Sequence, residues 1–302
     1  MNLSVIMTVF NGELFLHEAI ESIQNQTFSD FELLILNDGS TDGSLGVIQR
    51  YAKIDSRIKL ISRENKGRIV SLNECISISN GEFIAIMDAD DISLPTRFEK
   101  QIELLHKLKA DFCGSEFVAF NSKGIIRKYD VPFSNAEFLF FLASRLPFVN
   151  SSLIFRREYI KNQQLFYGMS SRSIIVEDYD FCAEAYIRGG IFVNVNEVLV
   201  KYRVSSNSYS SENIRKAWID TKIVSQNFCR LKRNEILMEL RAGKFEINRS
   251  RDKLNTCFLI AMYIFGEKMS LNFLITWLCK SPFIFLKSFI IYKKYYNFKI
   301  TT

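Results

Sequence analysis

The run Phe83-Ile84-Ala85-Ile86-Met87-Asp88-Ala89-Asp90-Asp91 constrains this chain more than any other stretch. An apolar segment of strand length stops at three carboxylates within four positions. A strand delivers its last side chains to the edge of a sheet, which is where ligands bind in open α/β folds. Acids crowded there oppose one another's ionisation unless something positive lies between them. Hard carboxylate oxygens suit Mg2+ or Mn2+, with a phosphate as the natural companion. The plainer alternative is an N-cap followed by solvated acids ahead of a helix at Pro95. The run alone does not choose between the two.

The surrounding pattern supplies context. Apolar runs over 3–9, 31–36, 58–61 and 82–87 read as strands buried on both faces. Between them, 13–26, 45–52 and 67–79 read as helices; in the first, Leu16, Ala19, Ile20 and Ile23 share one face. Ser93-Leu94-Pro95 reads as the start of a further helix. Strands alternating with helices predict an α/β fold with a mainly parallel, doubly wound sheet. From 111 to 211 the pattern is mixed, with strands expected over 111–120, 152–155, 190–195 and 199–202. No Gly- or Pro-rich linker divides the two parts, so 1–211 reads as one domain: a nucleotide-binding half, 1–110, and an acceptor-binding half, 111–211.

Beyond 212 the character changes. Residues 214–253 are helix-rich and basic, 256–265 is apolar but too short to span a bilayer, and 271–292 is apolar and aromatic yet broken by Lys280, Pro282 and Lys287. Lysines interleaved with aromatics suit a helical region lying in an anionic membrane interface; the alternative is a helical layer packed on the domain or on a second subunit. A net charge of +6 fits anionic partners. Six scattered cysteines with two histidines argue against a zinc cluster, give no support to a disulfide framework, and point to a reducing, cytosolic setting. The N-terminus reads as a first strand, not a signal peptide.

Three strand ends carry polar motifs: Thr8-Val9-Phe10-Asn11-Gly12-Glu13, Asn37-Asp38-Gly39-Ser40-Thr41-Asp42 and Asp88-Ala89-Asp90-Asp91. Parallel strands bring these ends to one edge. Neither a dinucleotide-binding glycine fingerprint nor a P-loop follows any strand, so a metal held by the acids has to grip a diphosphate. A fourth motif, Val176-Glu177-Asp178-Tyr179-Asp180-Phe181, offers carboxylates that could deprotonate a hydroxyl. Its alternative is an acidic helix start favoured by the helix dipole.

Together, in this order, the four motifs resemble the family-2 glycosyltransferases of GT-A fold over roughly residues 1–210. The 80–95 run, ending Ile92-Ser93-Leu94-Pro95, and Phe98-Glu99-Lys100-Gln101 resemble the bacterial enzymes of capsule and O-antigen assembly in particular. The resemblance implies an inverting transfer from a nucleotide-sugar, UDP-linked, to a lipid-linked saccharide acceptor, with Mn2+ or Mg2+, at the cytoplasmic face of the inner membrane. It implies that Thr8, Phe10 and Glu13 line the nucleotide pocket and that Asp38 binds the base. Asp88 would contact ribose or donor sugar, Asp90 the metal, and Asp178, with Glu177 beside it, would be the general base. Many relatives carry Arg-Asn where this chain has Leu72-Asn73, and histidines at the places of Asn150 and Ser205, which puts the diphosphate clamp in question; either Arg203 or the lysines stand to compensate, or the enzyme is weak. A homo-oligomer is compatible with this reading, and nucleic acid is not an expected partner. Competing readings are a sugar nucleotidyltransferase, opposed by the lack of any basic residue in 8–13, and a degenerate sugar-nucleotide-binding protein, opposed by the intact acids.

Overall fold

A computed structural model describes residues 2–169, 175–204 and 213–242. The first half is built as the periodicity requires. Strands β1 (Leu3–Val9), β2 (Phe31–Asp38), β3 (Ile58–Arg63) and β4 (Phe83–Ile86) run parallel in the order β3-β2-β1-β4. Val9 lies opposite Asn37, and Ile6 opposite Ile86. That register brings the chain after β1, β2 and β4 out at one edge of the sheet. Helices α1 (Glu13–Gln24), α2 (Ser44–Ile54) and α3 (Arg68–Ile78) connect these strands. The expected face of α1, Leu16, Ala19, Ile20 and Ile23, is buried.

The second half extends the same sheet. After β5 (Ile92–Ser93) and α4 (Arg97–Leu108) come β6 (Phe112–Asn121), β7 (Gly124–Tyr129) and α5 (Asn135–Leu142). A 3-10 turn at Asn150–Ser152 leads to β8 (Ile154–Arg156), α6 (Arg157–Asn162), α7 (Glu177–Ile187), β9 (Phe192–Arg203), α8 (Ile214–Leu231) and α9 (Arg233–Ala242). The strand order is β3-β2-β1-β4-β8-β6-β9-β5, with β7 paired to β6. Alternate strand residues feed two cores: Leu34 and Leu36 pack on the side of α3, α5 and α7, whereas Leu33 and Ile35 pack on the side of α1, α2 and α4. Helices therefore cover both faces, as a largely parallel sheet requires.

Two expectations differ from the fold. No helix starts at Ser93: Ile92 and Ser93 pair with Lys201 and Val200 of β9, and α4 begins at Arg97. The side chain of Gln26 holds Ser93 Oγ and Leu94 O, and a residue before proline is disfavoured in helical geometry. The expected strands 190–195 and 199–202 are one strand, β9, whose register slips where Val195 faces Ser115 and Val198 faces Glu116. The two extra residues, Asn196 and Glu197, resemble a break in the sequence but form an irregularity within the strand. Helices α8 and α9 add Val224, Phe228, Cys229 and Ile236 to the core on the α7 side, so 214–242 is a layer packed on the domain. No helix among the described residues is long and apolar enough to cross a membrane. The basic aromatic segment over 256–296 lies outside them, as do Ser205, Cys257 and Cys279.

Candidate active site

The loops after β1 and β2 are clasped together. The N–H of Asn11 donates to Ser40 Oγ at 3.0 Å, and Asn11 Oδ1 accepts the N–H of Thr41 at 2.8 Å. The N–H of Glu13 donates to Asp42 Oδ2 at 3.0 Å, while Glu13 Oε2 accepts the N–H of Gly43 at 2.8 Å. A Cβ at Gly43 would fall 2.1 Å from Glu13 Oε1, so a larger residue there would displace the Glu13 carboxylate from its present position. Glu13 is thus tied to the neighbouring loop. Thr8 is half-buried at the end of β1, and Phe10 stands 54% exposed beyond it. Asp38, at the end of β2, is 3% exposed and accepts the N–H groups of Lys66 and Gly67, both at 2.9 Å, together with Arg63 Nη1.

Those two amides lie just ahead of α3, whose first residue is the least anticipated member of the site. Arg68 donates from Nη2 to Asp88 Oδ1 at 2.6 Å and from Nε to Glu177 Oε1 at 2.7 Å. One guanidinium therefore joins the acids after β4 to the acids that open α7, 109 positions apart from Arg68 in sequence. Nothing in its local sequence marks Arg68 out, beyond its place directly after Gly67 at a helix start.

The three acids after β4 have different surroundings. Asp88 also meets Asn150 Nδ2 at 3.4 Å, and Asn150 Oδ1 is buried without a partner among the described residues. Asp91, expected as a solvated cap in the plainer alternative, is 1% exposed. It accepts the Ser151 hydroxyl and the N–H of Arg203. Burial, then the charges of Asp88 and Asp90, hold its carboxyl well above the usual range. Burial and then the Asp88 charge push Asp90 up to about 6. Arg203 reaches across from the end of β9, donating from Nε to the Asp90 carbonyl at 2.7 Å and from Nη2 to Glu18 at 2.8 Å. Its guanidinium lies 4.2 Å from the Phe15 ring centroid and 4.5 Å from that of Phe120.

This corner rests on a buried polar support from α4. Arg97 and Gln101 are both fully buried, one helical turn apart. Arg97 Nη2 donates to the carbonyls of Ile86 at 3.1 Å and Leu153 at 3.4 Å, and Nε to Gln101 Oε1 at 3.0 Å. Gln101 Nε2 donates to the carbonyls of Ser152 at 2.8 Å and Cys113 at 3.0 Å. The end of β4, the turn carrying Ser151 and the start of β6 are thereby fixed to one helix.

At the opposite wall, Glu177 is 5% exposed and Asp178 half-buried in the first turn of α7. Asp178 Oδ1 accepts the N–H of Tyr179 at 2.7 Å. Burial, then the Glu177 charge, push the Asp178 carboxyl up to about 7. That poises it near neutrality, as a base working at physiological pH requires.

The acids of this corner differ in how free they are to hold a hard cation. Arg68 engages Asp88, while Ser151 and the Arg203 amide engage Asp91; the hydrogen bond that steadies Asp90 comes from its own backbone. Among the described residues, no three His, Cys, Asp or Glu side chains form a complete cage. Mg2+ is ordinarily held by one or two carboxylates, with substrate phosphates and water filling the remaining positions. The crowded, partly buried carboxyl of Asp90 fits that role, since a cation beside it would offset both causes of its raised pKa.

The sequence profile described as Glycosyl transferase family 2 matches residues 4–170. The chain belongs to glycosyl transferase family 2. It is 32% identical over 230 residues to EpsE of Bacillus subtilis (strain 168), covering 75% of this chain and 81% of that one. It is 32% identical over 130 residues, 43% of this chain and 51% of the relative, to WfgD of Escherichia coli, a UDP-Glc:alpha-D-GlcNAc-diphosphoundecaprenol beta-1,3-glucosyltransferase. The fold is that of S. aureus TarS residues 1–349 crystallised with UDP-GlcNAc: TM-score 0.61, 17% identity, covering 95% of this chain and 79% of that one. The protein is a glycosyltransferase of GT-A fold.

Proposed function

We propose that this enzyme moves a sugar, with inversion, from a UDP-sugar to a hydroxyl of a lipid-linked saccharide in surface-polysaccharide assembly. The observation that carries the reading is the Arg68 bridge, which brings the Asp88 motif and the Glu177-Asp178 motif to one place. The donor assignment is supported by TarS, whose structure holds UDP-GlcNAc, and the acceptor assignment by WfgD, named for a diphosphoundecaprenol-linked sugar. A peripheral position on the inner membrane follows from such an acceptor and from the basic, aromatic sequence after 253.

In this reading the exposed ring of Phe10 and half-buried Thr8 line the base pocket. Glu13 fixes the loop that carries them, and Asp38 sets the opposite wall by anchoring the Lys66 and Gly67 amides. Asp88 faces ribose or donor sugar. Asp90 is the ligand for Mn2+ or Mg2+, which when bound would neutralise charge on the diphosphate. Arg203 fixes the Asp90 backbone from behind, and Arg68 adds a positive charge beside the leaving group. Asp178 takes the proton from the acceptor hydroxyl. The acceptor hydroxyl oxygen forms a bond to the anomeric carbon as the bond to the diphosphate oxygen breaks, and the nucleoside diphosphate leaves with that electron pair.

Two variants test the reading in one assay, with UDP-glucose and an undecaprenyl-diphosphate-linked N-acetylglucosamine as probes. Asp178→Asn should lower turnover by about 10²- to 10⁴-fold while leaving donor affinity in place. Asp90→Ala should abolish the dependence of donor binding on Mn2+. Retained turnover in the first variant, or donor binding in the second that still depends on Mn2+ as in the wild type, overturns the respective assignment.

A further inference from the structure

The hairpin of β6 and β7 rises from the rim of the site. β6 runs parallel to β9, and Phe120 lies opposite Arg203. Both strands therefore end at the edge where Arg203 meets the Asp90 carbonyl. The Phe120 ring stands 4.5 Å from the Arg203 guanidinium, and the Phe120 carbonyl accepts the N–H of Val204 at 2.8 Å. The turn at 121–124 continues beyond that edge, and residues 122–128 are all exposed.

The returning strand carries apolar side chains where a surface is ordinarily polar. Ile125 is 68% exposed and Ile126 53%. In register, Ala119 faces Arg127 and Phe120 faces Ile125, so Ile126 is an extra residue with nothing opposite it. A bulge of this kind re-aims a side chain at the edge of a sheet. The neighbours are cationic: Lys123, Arg127 and Lys128, with no acid from 117 to 129. Lys128 is paired with Glu116 at 2.6 Å. Among the described residues β7 pairs with β6 alone, which leaves its outer edge open. A second copy is a poor occupant of that edge, because self-pairing sets one cationic strand against another. Adjacent isoleucines flanked by cations instead match an anionic bilayer, whose interior takes the apolar side chains and whose phosphates meet the charges.

We propose that the β6–β7 hairpin is a membrane contact: Ile125 and Ile126 enter an anionic leaflet, and Lys123 and Arg127 meet its phosphates. The contact turns the rim formed by Arg203 and the acids after β4 toward the bilayer, where a lipid-linked acceptor resides. That purpose rests on the acceptor of the proposed function, whereas the contact itself does not. It places a point of attachment within the catalytic domain, separate from the basic, aromatic sequence after 253.

The test uses the full chain and sedimented vesicles of phosphatidylglycerol with phosphatidylethanolamine, set against vesicles of phosphatidylcholine. The double variant Ile125→Ser/Ile126→Ser should bind the anionic vesicles about 10- to 100-fold more weakly than the wild type, with a melting temperature near that of the wild type. Lys123→Gln and Arg127→Gln should each weaken that binding about fivefold, and neither should matter on phosphatidylcholine. Ile126→Trp reads insertion directly: its added emission should shift to the blue on anionic vesicles and be quenched by brominated acyl chains. Wild-type affinity in the double variant, or no blue shift, overturns the proposal. A double variant that only turns a dimer into a monomer also overturns it and assigns the edge to a second copy. Insertion without sugar transfer overturns the probe pair of the proposed function and leaves the contact standing; transfer without insertion does the reverse.

Discussion

The acids that follow β4 and the acids that open α7 face one another across Arg68, but they are held in different ways. The first group is supported from beneath. Arg97 and Gln101 grip the backbone of Ile86, Ser152 and Leu153, Ser151 holds Asp91, and Arg203 crosses over the Asp90 carbonyl. The second group rides on the first turn of a helix, where Asp178 is steadied by the neighbouring Tyr179 amide and its ionisation is opposed by burial and by Glu177. In the proposed mechanism the contrast matches two chemical demands. Acids that receive a charged diphosphate and a cation must not move, so their neighbours are fixed. A base must change protonation during the reaction, so it is left close to neutrality.

The sharpest way to break the comparison is to remove the support on the donor side. Gln101→Leu keeps the volume and removes the donors to the Ser152 and Cys113 carbonyls, and it also deprives buried Arg97 Nε of its acceptor. Unpaired buried polar groups cost about 1–3 kcal/mol each, so a loss of about 2–4 kcal/mol is expected. Urea or thermal denaturation measures it. A variant as stable as the wild type would show that α4 is filler there and not a support.

Much of this was legible in the chain, and what was not has a physical cause. The parallel half was readable because each buried strand is a continuous apolar run and each helix shows its own period. The strand-end acids were readable because charge directly after such a run is rare. β5 and the start of α4 were misread because Gln26, Ser22 and β9, all remote in sequence, decide the conformation of 92–95. Arg68 and Arg97 were missed for the same reason. An arginine in the first turn of a helix looks like an ordinary solvated charge until Asp88 and Glu177 arrive from elsewhere. The absence of arginine at Leu72 invited doubt about the diphosphate grip. The structure supplies a guanidinium one helical turn earlier on the same helix.

Arg68→Gln addresses the bridge itself. The loss leaves Asp88 and Glu177 without their shared cation, so each side should suffer: weaker donor binding and slower transfer, together about 10- to 100-fold in kcat/KM. Because the glutamine retains a donor, the fold should persist with a melting temperature near that of the wild type. A change confined to donor KM would place Arg68 with the donor-side acids alone, and one confined to kcat would place it with the base.

The smallest expected effect, and the most specific to the α7 side, is on pH. In its proposed role as base, Asp178 must be ionised to accept a proton, and its pKa stands at about 7 because burial, and then Glu177, oppose the charge. Turnover should therefore fall about tenfold per unit below that value and level off above it. The stability of the fold carries the opposite sign. A carboxyl whose pKa is raised by folding contributes fully at pH values below its ordinary value of 3.8, and the contribution is lost as pH rises through about 7. The wild type should accordingly lose melting temperature relative to Asp178→Asn across that window, while activity grows. Glu177→Gln sharpens the point by removing the nearest like charge, which should shift both the activity limb and the stability loss to lower pH. If the limb stays in place, burial alone sets the base, and the paired acids at the start of α7 act independently.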